Sequence, residues 1–75
     1  MNMIEMNEHE IIETSKLYFK FKIITHVDTK DGGFYNGLLV EVGKEGVVIC
    51  DRKDGNFPIL FSNIKLINKF KSAKK

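Results

Sequence analysis

Residues able to do chemistry are few in this chain and stand apart from one another. Its two histidines, His9 and His26, have no metal-ligand spacing, and Cys50 is the single cysteine. A lone cysteine excludes an internal disulfide and every paired-cysteine zinc or iron–sulfur arrangement. No two titratable residues have the spacing of a nucleophile and its base, so the expectation holds no catalytic residue, no metal and no cofactor. What remains is binding chemistry. Lysines attract phosphate, aromatic rings stack on bases, and a turn asparagine bonds a base edge. Tyr18, Phe34 and Tyr35 offer such rings, although packing within or on the fold is their plainer use. His26 reads as a strand-end residue with a local hydrogen bond, Cys50 as a small buried hydrophobe, and Glu41 as a solvent-facing strand residue. Arg52, Lys53 and Asp54 form a solvated turn of mixed sign.

The charge is polarised along the chain. Residues 1–13 carry Glu5, Glu8, Glu10 and Glu13 and no basic residue, giving −4, whereas residues 14–75 give +6, so the total of +2 conceals an acidic start and a basic remainder. Lys65, Lys69, Lys71, Lys74 and Lys75 crowd the C-terminal end without an acid, a group able to attract phosphate or simply to keep the chain soluble. With 75 residues, 43% of them apolar and one proline, the chain allows a single domain, 1–75. A domain of this size buries only about 60% of its unfolded surface, too little for a deep catalytic pocket. No stretch approaches the roughly 18–20 apolar residues of a membrane span, and Met1-Asn2-Met3-Ile4-Glu5 lacks the start of a secretory signal. A reducing, cytoplasmic setting without membrane contact is expected.

Hydrophobic periodicity then supplies the elements that position these groups. Residues 3–16 contain no glycine or proline, and Ile4, Ile11, Ile12 with Ser15 or Leu17 fall near one helical stripe. From Leu17 to Val27 the period changes to 2, which predicts a first strand with Leu17, Phe19, Phe21 and Ile23 on one face. Turn clusters at 28–33, 43–46 and 52–56 separate three further strands, Phe34–Val42, Val47–Asp51 and Phe57–Phe61, and a fifth runs from Ile64 to Phe70. Pro58 has no N–H to donate, so the fourth strand belongs at an edge or a bulge. Gly37, inside the second strand, marks a sharp bend or a close backbone approach. The prediction is a mainly β fold: a short N-terminal α-helix at about 3–16, then a five-stranded, strongly bent antiparallel meander closing into a small barrel at about 17–70, with a basic tail at 71–75.

That order of elements, the second strand reading Phe34-Tyr35-Asn36-Gly37-Leu38-Leu39-Val40-Glu41-Val42-Gly43, and the ending Phe61-Ser62-Asn63-Ile64-Lys65-Leu66-Ile67 together resemble the Sm-like family of Sm, LSm and Hfq proteins over roughly residues 4–70. Its most recognisable pattern, hydrophobic–x–Gly–x–Leu, is met by Tyr35, Gly37 and Leu39. The ending is also similar to the C-terminal Sm-like domain of the ribosome maturation factor RimP. Where the Sm family carries an Asp-x-x-Met-Asn segment that reads and stacks on a base, this chain has Gly43, Gly46 and Val47, so the usual uridine readout group is missing.

The resemblance implies single-stranded RNA as partner, bound on rim loops by Lys44, Ser62, Asn63 and Lys65. It also implies a homo-oligomeric ring in which the fourth strand of one subunit pairs with the fifth of the next. Phe57, Ile59, Leu60, Ile67 and Phe70 supply more apolar side chains than one thin core needs and are the expected interface for self-association. The alternative is an SH3-like protein-interaction module, ribosome-associated and without direct RNA binding. Salt separates the two, because lysine-to-phosphate binding weakens steeply between about 50 and 200 mM salt and apolar edge pairing does not.

Overall fold

A computed structural model describes residues 5–71. Its helix, α1, spans Glu8–Lys20. Asn7 is the N-cap and completes a reciprocal pair with Glu10. The Asn7 side chain accepts from the Glu10 N–H at 2.8 Å, and the Glu10 carboxylate accepts from the Asn7 N–H at 3.0 Å. Two of the four orphan donors of a helix start are satisfied this way, and Glu8 and Glu10 sit at the positive end of the helix dipole. Phe21 closes the helix and Lys22 turns the chain with a left-handed φ of 55°. The helix therefore lies about four residues later than its sequence periodicity suggests, and the expected start at Met3 and Ile4 falls outside the described residues. Leu17, Tyr18 and Phe19 are helical, not part of a strand.

Five strands follow: β1 Thr25–Thr29, β2 Phe34–Val42, β3 Gly46–Asp51, β4 Gly55–Leu60 and β5 Ile64–Lys69, with a single 3-10 turn at Phe61–Asn63 between the last two. All pairings are antiparallel and the order is β4-β3-β2-β1-β5. The topology is not a plain meander. β5 does not lie beside β4; it returns across the sheet to pair with β1, Val27 opposite Ile67 and Thr25 opposite Lys69. β4 and β5 are thus the two edges, and Pro58 lies on the edge strand β4 opposite Val48.

The bend of the sheet depends on Gly37. A Cβ built there would overlap the Cys50 carbonyl oxygen of β3, so only glycine admits the approach of the two backbones. A register shift between Leu39 and Glu41 adds curvature further along β2. The concave face collects Val27, Leu39, Val47, Ile49, Ile59, Phe61, Ile64 and Ile67, and α1 closes this core with Ile11 while Met6, Ile12 and Tyr18 pack around it. Each such side chain contributes about 1.5–3 kcal/mol on burial. Ser15, fully buried on the inner side of α1, donates its hydroxyl to the Ile11 carbonyl at 2.7 Å and so needs no other partner.

Burial corrects two sequence-based readings. Ile59 and Ile67 are 4% and 1% exposed, so their side chains belong to the core and are not surplus groups on an edge. Cys50 is exposed, not buried, because β3 alternates and Val47, Ile49 and Asp51 take the inward positions.

Candidate nucleic-acid interface

The loops expected to carry the interface converge through backbone contacts. The β2–β3 turn, which carries Lys44 at its tip, accepts a hydrogen bond at the Glu45 carbonyl from the Phe61 N–H at 2.8 Å. The 3-10 turn holding Ser62 and Asn63 is thereby seated against it. From its other side the Lys30 N–H donates to the Asn63 carbonyl at 2.8 Å, so three connections meet around this turn. Lys44, Ser62 and Lys65 are exposed and Asn63 is half-buried.

The Asn63 amide has a local task. Its Nδ2 donates to Asp31 at 3.5 Å, and Asp31 also accepts from the Thr29 hydroxyl. The Thr29 hydroxyl first, then the Gly33 N–H and the Asn63 amide, hold the Asp31 carboxyl below its ordinary value against a smaller opposing effect of burial. Asn63 therefore helps fix the β1–β2 turn.

The two sheet edges differ. On β4, Leu60 is 56% exposed and Phe57 36% exposed, although the Phe57 ring stacks on Tyr35 with centroids 4.6 Å apart. Pro58 and Leu60 line a shallow groove of about 410 Å3 together with Val48 and Glu41. On β5 the outer edge is covered in part by the segment preceding α1. The Met6 N–H donates to the Lys65 carbonyl at 3.0 Å and the Ile67 N–H donates to the Met6 sulfur at 3.4 Å. Phe70, just beyond β5, is half-buried and donates its N–H to the Ile24 carbonyl at 2.8 Å.

Two features were not singled out from the sequence. The first is Asp51, 3% exposed at the end of β3. Burial pushes its carboxyl up, but the N–H groups of Asn36, Lys53 and Asp54 at 2.8, 2.8 and 3.0 Å, with the Lys53 charge, outweigh that and leave it below its ordinary value. The carboxylate ties the β3–β4 turn to β2. The second is an open cleft of about 630 Å3 beside β1, walled by Tyr18, Phe34 and Phe70 and floored by Asn36, His26 and Asn68. Its residues come from α1, β1, β2 and β5 and its signal lies in strand register, which no local pattern contains. Among the described residues no three His, Cys, Asp or Glu side chains group as a metal site, and no helix is long and apolar enough to cross a membrane.

An N-terminal helix on a strongly bent antiparallel sheet of order β4-β3-β2-β1-β5 is the Sm-like fold. Among solved structures, the chain is similar to the crystal structure of the pleiotropic translational regulator Hfq, with a TM-score of 0.66 over 81% of this chain and 97% of that one, at 15% sequence identity. No protein-family model matches the sequence, and no curated protein matches it.

Proposed function

We propose that this protein is a non-enzymatic Sm-like module that binds single-stranded RNA and self-associates through its edge strands. The observation that carries the reading is the sheet order, which leaves β4 and β5, each six residues long, as the two edges of one molecule. Antiparallel addition of the β4 edge of one copy to the β5 edge of the next satisfies the open backbone groups of both. Repeated with closure, it makes a ring that presents Lys44, Ser62 and Asn63 on their turns, and Lys65 at the start of β5, of successive copies toward RNA phosphates. Phe57, Leu60 and Phe70 contribute side chains to such a joint, whereas Ile59 and Ile67 contribute backbone. A reducing, cytoplasmic setting suits an exposed Cys50.

Pairing at β5 requires Met6 to leave Lys65 and Ile67, so the segment before α1 competes with a neighbouring copy for the same edge. That contact favours a second reading, a monomeric SH3-like protein-interaction module, ribosome-associated, that offers only β4 to a partner. Filter binding of the full chain to poly(U), poly(A) and duplex RNA between 50 and 200 mM salt separates the two readings. Retention of the single-stranded polymers that falls steeply with salt is expected. No retention of any polymer at the lowest salt rejects RNA binding and leaves the protein-interaction module.

A further inference from the structure

The cleft beside β1 lies outside the rim loops, and the end of the edge strand β5 supplies Asn68, Lys69 and, just beyond it, Phe70 to its lining. Strand register builds its floor: His26 of β1 stands opposite Asn36 of β2 on one side and opposite Asn68 of β5 on the other, so three polar side chains form one row across the sheet. Aromatic walls flank the row. Phe34 is 52% exposed, and Tyr18 of α1 and Phe70 after β5 line the same space. Lys69 and Lys71 line it as well, and Lys53 of the β3–β4 turn holds its ammonium over the Phe34 ring, 4.6 Å from the centroid. An exposed ring, a row of polar side chains and a cationic margin are the three parts that a stacked base and its phosphate require.

We propose that this cleft binds one nucleobase of a single-stranded nucleic acid, and that the Asn36 side-chain amide reads the base edge in an orientation set by the proton on His26. The proposal rests on the RNA-binding reading above and specifies where and how a base is read. The backbone of Asn36 is clamped on its outer side. Its N–H donates to Asp51 at 2.8 Å and its carbonyl accepts from the Arg52 N–H at 3.1 Å, so the side chain is delivered to the cleft at a fixed place.

The His26 ring lies between two oxygens, with Nδ1 2.5 Å from Asn36 Oδ1 and Nε2 3.1 Å from Asp28 Oδ1. A protonated ring donates to both. Asn36 Oδ1 is then occupied, and Nδ2 is the group turned to a ligand. A neutral ring that keeps Nε2–H on Asp28 has a bare acceptor at Nδ1, which opposes an oxygen and favours the turned-over amide. Nδ2 then donates to the ring and Oδ1 is presented instead. The charged groups around the ring are Asp28 on β1, Lys69 on β5, Lys71 beyond it and Lys53 from the β3–β4 turn; α1 contributes Tyr18. A donor at Asn36 matches the keto edges of uracil and guanine, and an acceptor matches the amino edges of adenine and cytosine. Acidification thus turns the cleft from amino bases toward keto bases.

The test titrates the full-length, 15N-labelled protein with AMP, CMP, UMP and GMP at about pH 5 and about pH 8. The readout is the Asn36 and Asn68 side-chain amide signals and the Phe34 ring. All four nucleotides are expected to shift these signals, and the ratio of UMP to AMP affinity should rise about tenfold from the higher pH to the lower, the equivalent of about 1.4 kcal/mol. His26→Gln should bind with a ratio that no longer depends on pH. Phe34→Ala should weaken all four by about 5- to 150-fold, with the backbone amide spectrum reporting that each variant is folded. Absence of shifts in the cleft, or a base preference that does not move with pH in the wild type, overturns the proposal. Labelled RNA retained equally by wild type and Asn36→Ala overturns the cleft and spares the RNA reading; RNA retained by neither overturns both.

Discussion

Replacing Asp51 by alanine is the sharpest perturbation of the fold itself, since one carboxylate ties the β3–β4 turn to β2. Three backbone N–H groups lose their acceptor. Lys53 and Asp54 are exposed and their N–H groups can turn to water, but the Asn36 N–H lies on the half-buried second strand. A hydrogen bond to a charged group contributes about 1.5–3 kcal/mol, so one full loss and two partial ones place the cost at about 3 kcal/mol. Against a total of about 5–15 kcal/mol for a small domain, this is a large fraction. For a domain of this length about 3 kcal/mol lowers Tm by about 12–24 °C. Urea unfolding followed by far-UV circular dichroism reads the difference directly, with Asp51→Asn intermediate because it keeps one acceptor oxygen.

The pH dependence of that difference has a definite sign. The folded-state carboxyl of Asp51 lies below its ordinary value of 3.8, so its stabilisation is fully present above that value and is lost as the pH falls through the lower, folded one. The gap between wild type and Asp51→Ala should therefore be constant near neutrality and shrink in acid. Asp31 shifts in the same direction, but it is exposed and adds little. A variant within about 0.5 kcal/mol of wild type at neutral pH, or a gap that widens in acid, would refute the assignment of Asp51 as the tie.

Two further outcomes follow from the geometry of the sheet. Gly37→Ala forces β2 away from the Cys50 carbonyl and should cost several times the roughly 1 kcal/mol typical of a point change, read as a lower urea midpoint; a midpoint equal to wild type would mean that the bend does not depend on this glycine. Met6→Pro removes the N–H given to Lys65 and the sulfur that Ile67 uses, and light scattering should show a larger mean mass than wild type at the same concentration. An unchanged mass would show that Met6 does not guard the β5 edge.

The legible parts of the fold were those whose signals are local. β2 has the expected bounds because Gly32 and Gly33 precede it and Gly43 follows it. Pro58 placed β4 at an edge through a missing donor, and Gly37 announced the bend through a missing side chain. The start of α1 was written in Asn7 and Glu10, a capping pair that a search for hydrophobic stripes passes over. Its end was misleading because Leu17, Phe19 and Phe21 alternate like a strand yet are 50%, 42% and 60% exposed on or just after the helix. Apolar residues left outside the core obey no period that burial imposes. The β1–β5 pairing, the cleft it creates and the Asp51 tie join residues far apart in the chain, and only the folded register brings them together. The contact of Asn63 with Asp31 joins positions 32 residues apart and depends on the same long-range return of β5.

Sedimentation velocity of a fluorescently labelled single-stranded oligoribonucleotide mixed with the full chain at about 50 mM salt reports RNA binding and self-association in one trace. The label is expected to sediment with a mass several times the 8.6 kDa of one chain and to be released as salt rises toward about 200 mM. Label that sediments as free RNA at the lowest salt, at protein concentrations of tens of micromolar, would contradict this expectation.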